Sequence, residues 1–475
     1  MGAVERPRRT LPRTLALVGV ALAFACEGRG ADEAAPKVGG RTAALPAARP
    51  DATPSDPAPC RDHSGLDPAS LPALPPTPYT ATFDEVWRIV LTKHFDPTLA
   101  CLDWPALREE YGRRLVDVRE PAEAYAVMNQ LLGRLGQSHF RVVPPDDVLH
   151  DDRPQGPARA PLQVRWIDDA AVVVDPAVGG VESGVPRGSI VVAIDGRAVA
   201  EIADHARAES QRPSELAFAI STAIARRLSG DEGARHRLTL RVHPNDDAEV
   251  EREVPCTSPV GEVVSLGNLH NLPTTVEWRM IPGTKIGYLA FNYWMLPMMK
   301  RVEAAMTELR AQGMTALILD LRGNPGGVGA MSVPLARLLL REGGTLGTLR
   351  FRDFVQEFKV APNPSAFDGE VVVLVDEGTA STSEIFATGM RDLGRVKIVG
   401  GRPSAGAALP SLIERLAGGA TLQYVVGDYH SSKGTVAEGD GVVPDVVVPE
   451  ARDDFIAGRD PVLDAAVAAL SERSP

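Results

Sequence analysis

Two segments of this sequence pair reactive residue types with spacings that would aim them. Residues 317–327 read LILDLRGNPGG: a continuous apolar run, then Asp320 and Arg322, then a turn holding Gly323, Gly326 and Gly327. Glycines let backbone N–H groups approach a ligand closely, and successive N–H groups in such a turn form an anion-stabilising nest. Pro325 restricts the turn. No phosphate-loop pattern of the GxxxxGK[ST] type occurs in this stretch, which removes that competing reading. Residues 373–387 read VLVDEGTASTSEIFA. A strand-like run ends at Asp376-Glu377-Gly378, a Thr/Ser cluster follows, and an apolar helix begins. A serine at a strand-to-helix turn projects its hydroxyl from the sheet edge. The N–H groups at the positive end of the helix then point the same way. The competing reading is a plain helix N-cap, with Glu384 as capping-box partner.

A third candidate is Leu135-Gly136-Gln137-Ser138-His139. An imidazole titrates near neutral pH and can take and return a proton, although a lone histidine after a helix is usually structural. His430 is a spare candidate base. Met295, Met298 and Met299 beside Trp294 read as core or pocket wall. Asp320 and Arg322 read as a structural pair beside the glycine turn. No Cys–His cluster has zinc spacing, and the chemistry sketched here needs neither a metal nor an organic cofactor.

Several kinds of element must position these groups. Phe83, Val86, Trp87, Val90 and Leu91 recur at helical spacing, as do Leu107, Tyr111 and Leu115, and then Tyr125, Met128, Leu131, Leu132 and Leu135. Residues 81–150 are therefore read as a helical domain. Residues 160–256 turn β-rich, with runs at 171–174, 189–194 and 238–242 and an Asp195-Gly196 turn. Residues 268–475 alternate strands (286–291, 316–320, 371–375) with helices, as in a layered α/β core. At 475 residues, the chain exceeds the typical domain of about 100–200. A multidomain α/β protein is the expectation.

The N-terminus reads as an export signal. Arg6, Arg8, Arg9 and Arg13 precede the apolar run Leu15–Ala25, too short for the ~20 residues of a spanning helix. Ala23-Phe24-Ala25-Cys26 ends it and resembles a bacterial lipobox, which would make Cys26 a lipidation site and give the chain a membrane anchor. Ala23 stands where such boxes usually carry leucine, and an ordinary cleaved signal ending at Ala25 is the alternative. Residues 27–80, rich in Ala, Pro and Asp, read as a flexible linker. Without Cys26, Cys60, Cys101 and Cys256 allow one disulfide and one free thiol, and Cys60–Cys101 is one candidate pair. A net charge of -12 offers no basic field for nucleic acid.

Taken together, LILDLRGNPGG and EGTASTSEI resemble the paired signature of the tail-specific (C-terminal processing) and tricorn-like serine proteases. The resemblance spans most of the chain after residue 80. It implies a crotonase/ClpP-like α/β core with an N-terminal helical segment. The run Gly184–Gly196 resembles the middle of a PDZ domain, which implies an inserted module that captures peptide C-termini. By resemblance Ser381 is the nucleophile, and the oxyanion donors are the backbone N–H groups of Thr382 and Gly327, with Gly326 the near alternative. The tail-specific branch takes its general base from a lysine in a GKG segment after the serine. Here the corresponding run, Pro403–Ala408, holds no lysine, and Lys433 comes too late. The tricorn-like branch uses a Ser-His pair after the first helices. That makes His139 the base, with Ser138 orienting it and Glu438 completing the network. The implied protein is a periplasmic or cell-envelope serine peptidase acting on unfolded or C-terminal segments of proteins. A crotonase-like acyl-chemistry enzyme and a non-proteolytic binding protein on the same fold are the alternatives.

Overall fold

The computed structural model describes residues 60–145, 156–209, 212–243, 248–266 and 269–471. The export signal, Cys26 and the first part of the expected linker lie outside the described residues.

Three helices open the described chain: α1 (Thr80–Lys93), α2 (Trp104–Arg114) and α3 (Pro121–Gly133). Their apolar stripes meet around Trp87, Trp104, Met128 and Leu131. Each of the two tryptophans donates its indole N–H to the other's backbone carbonyl. A small antiparallel sheet of Arg141–Val143, Thr421–Val425 and Ser411–Arg415 closes the same core, so the C-terminal third of the chain helps to bury the N-terminal helices. The last part of the expected linker is fastened to this body. Cys60 is bonded to Cys101, His63 is buried, and Leu66, Leu71 and Leu74 pack against the helical core. The physical reason is that three leucines and a disulfide offset the ordering of this short Pro-rich run.

A second unit follows. Strands β1 (Gln163–Ile167), β2 (Ala170–Asp175), β3 (Ile190–Ile194), β4 (Arg235–Arg241) and β5 (Glu249–Pro255) lie in the order β5-β4-β3-β2-β1. Two helices absent from the sequence reading, α4 (Val199–Glu209) and α5 (Pro213–Arg227), pack on this sheet. Val199, Ile202, Ala203 and Ala206 of α4 and Ile220 and Ile224 of α5 are buried there, at helical spacing.

The remaining chain forms a sheet in sequence order: β6 (Val276–Met280), β7 (Ile286–Phe291), β8 (Ala316–Asp320), β9 (Glu370–Val375), β10 (Lys397–Gly400) and β11 (Val446–Val447). Neighbours from β7 to β11 are parallel, and β6 is an antiparallel edge. Every residue of β8 is buried, as a strand covered on both faces requires. Alternate residues divide between the layers. Ile318, Val372 and Leu374 face α10 (Pro461–Ser471; the short α9 is Arg452–Ile456). Leu317, Leu319, Val373 and Val375 face α6 (Leu296–Ala311), α7 (Ser332–Leu339) and α8 (Thr382–Asp392). Met298 and Met299 are buried in that second layer, in the core role read from the sequence.

Arg165 of β1 joins the second unit to this sheet. Its guanidinium donates to both carboxylate oxygens of Glu377 (3.1 and 2.9 Å) and of Glu450 (2.8 and 3.0 Å), and lies 3.5 Å from Asp376. The cluster is almost fully buried.

Candidate active site

Strand β9 ends at Val375, and six residues later Ser381 caps α8. Its backbone sits at φ 57°, ψ −118°, a conformation that costs a non-glycine residue on the order of 1–3 kcal/mol. The surroundings over-determine it. The Ser381 N–H donates to Ala407 O and to Glu384 Oε2, each at 2.9 Å. Glu384 thus serves as the capping-box partner anticipated from the sequence. It does more than that, because its carboxylate also accepts from Gly406 N, Ala407 N and the Ser404 hydroxyl. Glu384 is completely buried, and burial pushes its pKa up to about 7 against the pull of those donors.

The two motif loops are stitched together. Asn324 O accepts the Ala380 N–H and the Ser383 hydroxyl, Thr379 Oγ1 donates to Leu321 O, and Thr382 Oγ1 donates to Gly327 O. Trp294 holds the far side, with its indole N–H on Ser383 Oγ at 2.8 Å and its backbone paired to Gly326 and Val328. A Cβ on Gly326 would lie 2.8 Å from Ser381 Cβ, and one on Gly327 would lie 2.4 Å from Trp294 O, so both positions demand glycine on contact as well as on φ. The Gly326 N–H is already taken by Asn324 Oδ1 at 3.0 Å. Among the described residues the N–H groups of Gly327 and Thr382 have no hydrogen-bond partner. An oxyanion at Ser381 would therefore find Gly327 and Thr382 available and Gly326 occupied.

The second cluster assembles residues far apart in sequence. The Ser138 hydroxyl lies 2.8 Å from Glu438 Oε2 and 2.7 Å from His139 Nδ1, and the Ser138 N–H donates to Glu438 Oε1 at 2.8 Å. Glu438 Oε2 also accepts the Ala408 N–H at 2.9 Å. An ionised carboxylate only accepts, so the hydroxyl proton goes to Glu438. Ser138 Oγ must then accept from His139, which places the imidazole proton on Nδ1 and leaves Nε2 as the basic nitrogen. Burial, and then the charge of Arg212, hold the His139 pKa well down, to about 3, so the ring is neutral at physiological pH. The run Gly406–Ala408 links the two clusters, since Ala407 O holds Ser381 and the next N–H holds Glu438. No hydrogen bond joins His139 to Ser381 among the described residues; such contacts tighten when substrate is bound.

The other candidates fall elsewhere. His430 pairs with Asp428 at 2.7 Å on a separate strand. The Lys433 N–H is held by Asp392, the last residue of α8. Ser381 caps the opposite end, about 16 Å away at 1.5 Å per residue. Asp320 and Arg322 do pair, at 2.7 Å, with Asp460 as a third member. Two participants went unread in the sequence: Arg212, which donates to Glu438 Oε1, and the carbonyl of Ala407. Nothing local marks either one.

A strained serine over unpartnered N–H groups, on a parallel α/β sheet, is the arrangement of an acyl-transferring serine hydrolase. Residues 285–448 match peptidase family S41, and residues 75–133 match the tricorn protease C1 domain. The chain carries a peptidase family S41 domain over residues 285–448 and is a serine-type peptidase. It is 28% identical over 371 residues to the carboxyl-terminal-processing protease of Synechocystis sp., covering 77% of this chain and 79% of that protein. Its fold resembles the photosystem II D1 C-terminal processing protease, with a TM-score of 0.53 and 22% identity over 79% of this chain and 94% of that one. It also resembles mature CPAF complexed with lactacystin, with a TM-score of 0.58 and 16% identity over 83% and 99%.

Proposed function

We propose that the chain is an exported serine peptidase that cleaves peptide bonds through an acyl-enzyme on Ser381, with His139 as general base. The observation that carries this reading is the Glu438–Ser138–His139 relay, beside a run at 403–408 that has no lysine to offer. Ser381 Oγ attacks the scissile carbonyl while His139 Nε2 takes its proton. The Gly327 and Thr382 N–H groups receive the developing oxyanion, each contributing roughly 3–4 kcal/mol. His139 then returns the proton to the leaving amine, and water, activated by the same nitrogen, releases the acyl group.

The substrates are unfolded or C-terminal segments of proteins, as the printed names of the relatives suggest for those proteins. The β1–β5 unit with α4 and α5 suits a PDZ-like module in the order inserted between helical segment and crotonase/ClpP-like core. A Cys60–Cys101 disulfide fits an oxidising, extracytoplasmic compartment, and Cys26 would anchor the chain there by a lipid. The test is cleavage of an unstructured protein by the chain and by Ser381→Ala, His139→Ala and Lys433→Ala. Loss in the first two with retention in the third supports the reading. Loss in Lys433→Ala with His139→Ala active would overturn the assignment of the base.

A further inference from the structure

Arg212 is the residue through which the second unit reaches the base network. It stands at the N-terminus of α5, and its Nη1 donates both to Glu438 Oε1 and, at 3.1 Å, to Gly406 O. Its side chain is only 12% exposed, so its charge acts with little solvent screening. These two bonds span the clusters described above. Glu438 orients Ser138 and His139, and Gly406 adjoins Ala407, whose carbonyl holds the Ser381 N–H. An independent contact comes from the same helix: Phe218, two turns into α5, packs against Ala380, Ala405 and Ala407, the alanines flanking the nucleophile. Glu215, one turn on, pairs with Arg212 and orients it.

We infer that Arg212 is a positioning residue of the base network, supplied by the β1–β5 unit, so that the relay is complete only while α5 is docked against the nucleophile turn. This rests on the peptidase reading above. Two bonds from one nitrogen of a rigid planar cation fix the gap between Glu438 and the Gly406–Ala408 run, and with it the approach of His139 to Ser381. The charged groups around His139 are Arg212 and Glu438, with Glu215 behind Arg212 and Glu384 beyond Ala407. Arg212 opposes protonation of the imidazole. Its removal raises the histidine pKa, and a base that must be neutral then fails at higher pH.

The test is the rate of Ser381 acylation by a small fluorophosphonate across pH, on the full chain. Such a reagent needs the base but no peptide delivery. Arg212→Ala is expected to slow acylation on the order of tenfold and to move the acid limb up by on the order of one pH unit. Arg212→Lys should recover part of both, since it keeps the charge but loses one bond. Glu215→Gln, which leaves Glu438 untouched, should slow acylation by less and leave the acid limb where it is or lower it, since it removes an anion and not the Arg212 charge, and it guards against simple misfolding of Arg212→Ala. An unchanged rate and pH profile in Arg212→Ala would overturn the inference, and so would a faster rate, which would make Arg212 a latch. If the wild-type chain is not acylated at Ser381, or if His139→Ala reacts like wild type, the peptidase reading falls first and this inference with it.

Discussion

Ser138 gives its one hydroxyl proton to Glu438, a residue 300 positions further along the chain. Everything about the tautomer of His139 follows from that direction. Glu438→Gln would put an N–H₂ group where only an acceptor fits, either against the Ser138 N–H or against the hydroxyl. With the N–H₂ against the hydroxyl, the relay would run backwards and place the imidazole proton on Nε2; with it against the Ser138 N–H, two donors would face each other. The expected outcome is a fall in kcat on the order of 10²–10⁴-fold with little change in KM, the range found when a base loses its orienting acid. A fall confined to KM would refute this role.

The pH dependence carries a sign. The folded-state pKa of His139 is depressed, from 6.5 to about 3, so the acid limb of kcat/KM should lie well below the ordinary histidine value. Below 6.5 the unfolded chain takes up a proton that the folded site refuses. Stability from this group is therefore full above 6.5 and is lost as pH falls from there toward 3. Glu384 acts in the opposite sense. Its pKa is raised from 4.5 to about 7, so its contribution improves as pH falls from 7 toward 4.5. Urea midpoints of the chain and of His139→Gln, measured between pH 4 and 7, should differ in slope in the direction stated.

Gly326→Ala should abolish acylation, because the new methyl would lie 2.8 Å from Ser381 Cβ and 3.0 Å from Ala380 O and Thr382 N. Backbone donors cannot be deleted by side-chain truncation, so this contact is the practical way to disturb the oxyanion site. Full activity of Gly326→Ala would mean that the turn moves freely and that its N–H groups are not preorganised.

Arg165→Met removes the cation shared by Glu377, Glu450 and Asp376 and leaves the buried cluster, among the described residues, only the 3.9 Å approach of Arg402 to Glu377. Breaking such a cluster costs roughly 3–5 kcal/mol. Asp376 also accepts the N–H groups of Gly323 and Gly378, so both motif loops should loosen. Burial has already raised the Asp376 pKa to about 6. The deficit in stability should shrink at lower pH as the unpaired carboxylates protonate, and denaturation of the variant at two pH values would show it.

The Cys60–Cys101 bond closes a loop with a sequence separation of 41. Chain-entropy reasoning gives about 4 kcal/mol for a loop of that size. Cys60→Ser should lower the urea midpoint accordingly and leave kcat unchanged, since the bond ties only the linker to the helical core. A large loss of kcat would show that this strand of the linker supports the site.

The sequence by itself determined the strand-to-helix turn at Ser381, the glycine turn and the strands beneath them, because each is local. A continuous apolar run specifies a strand buried on both faces, and a Thr/Ser cluster ahead of an apolar helix specifies a cap. The Ser-His pair was legible for the same reason, and so was the lack of a lysine beside Ser404–Ala408. The helices α4 and α5 were missed although Val199, Ile202, Ala203 and Ala206 in the first and Ile220 and Ile224 in the second carry their period. The strong β-branched runs on either side masked it. Only the tertiary structure decided which N–H groups of the glycine turn stay free, since that depends on Asn324 folding back on Gly326. It alone brought Glu438 to Ser138 and Arg212 to Glu438, contacts 300 and 226 residues apart in sequence. A carboxylate's partners across such separations are set by how the units dock, and no pattern along the chain encodes that.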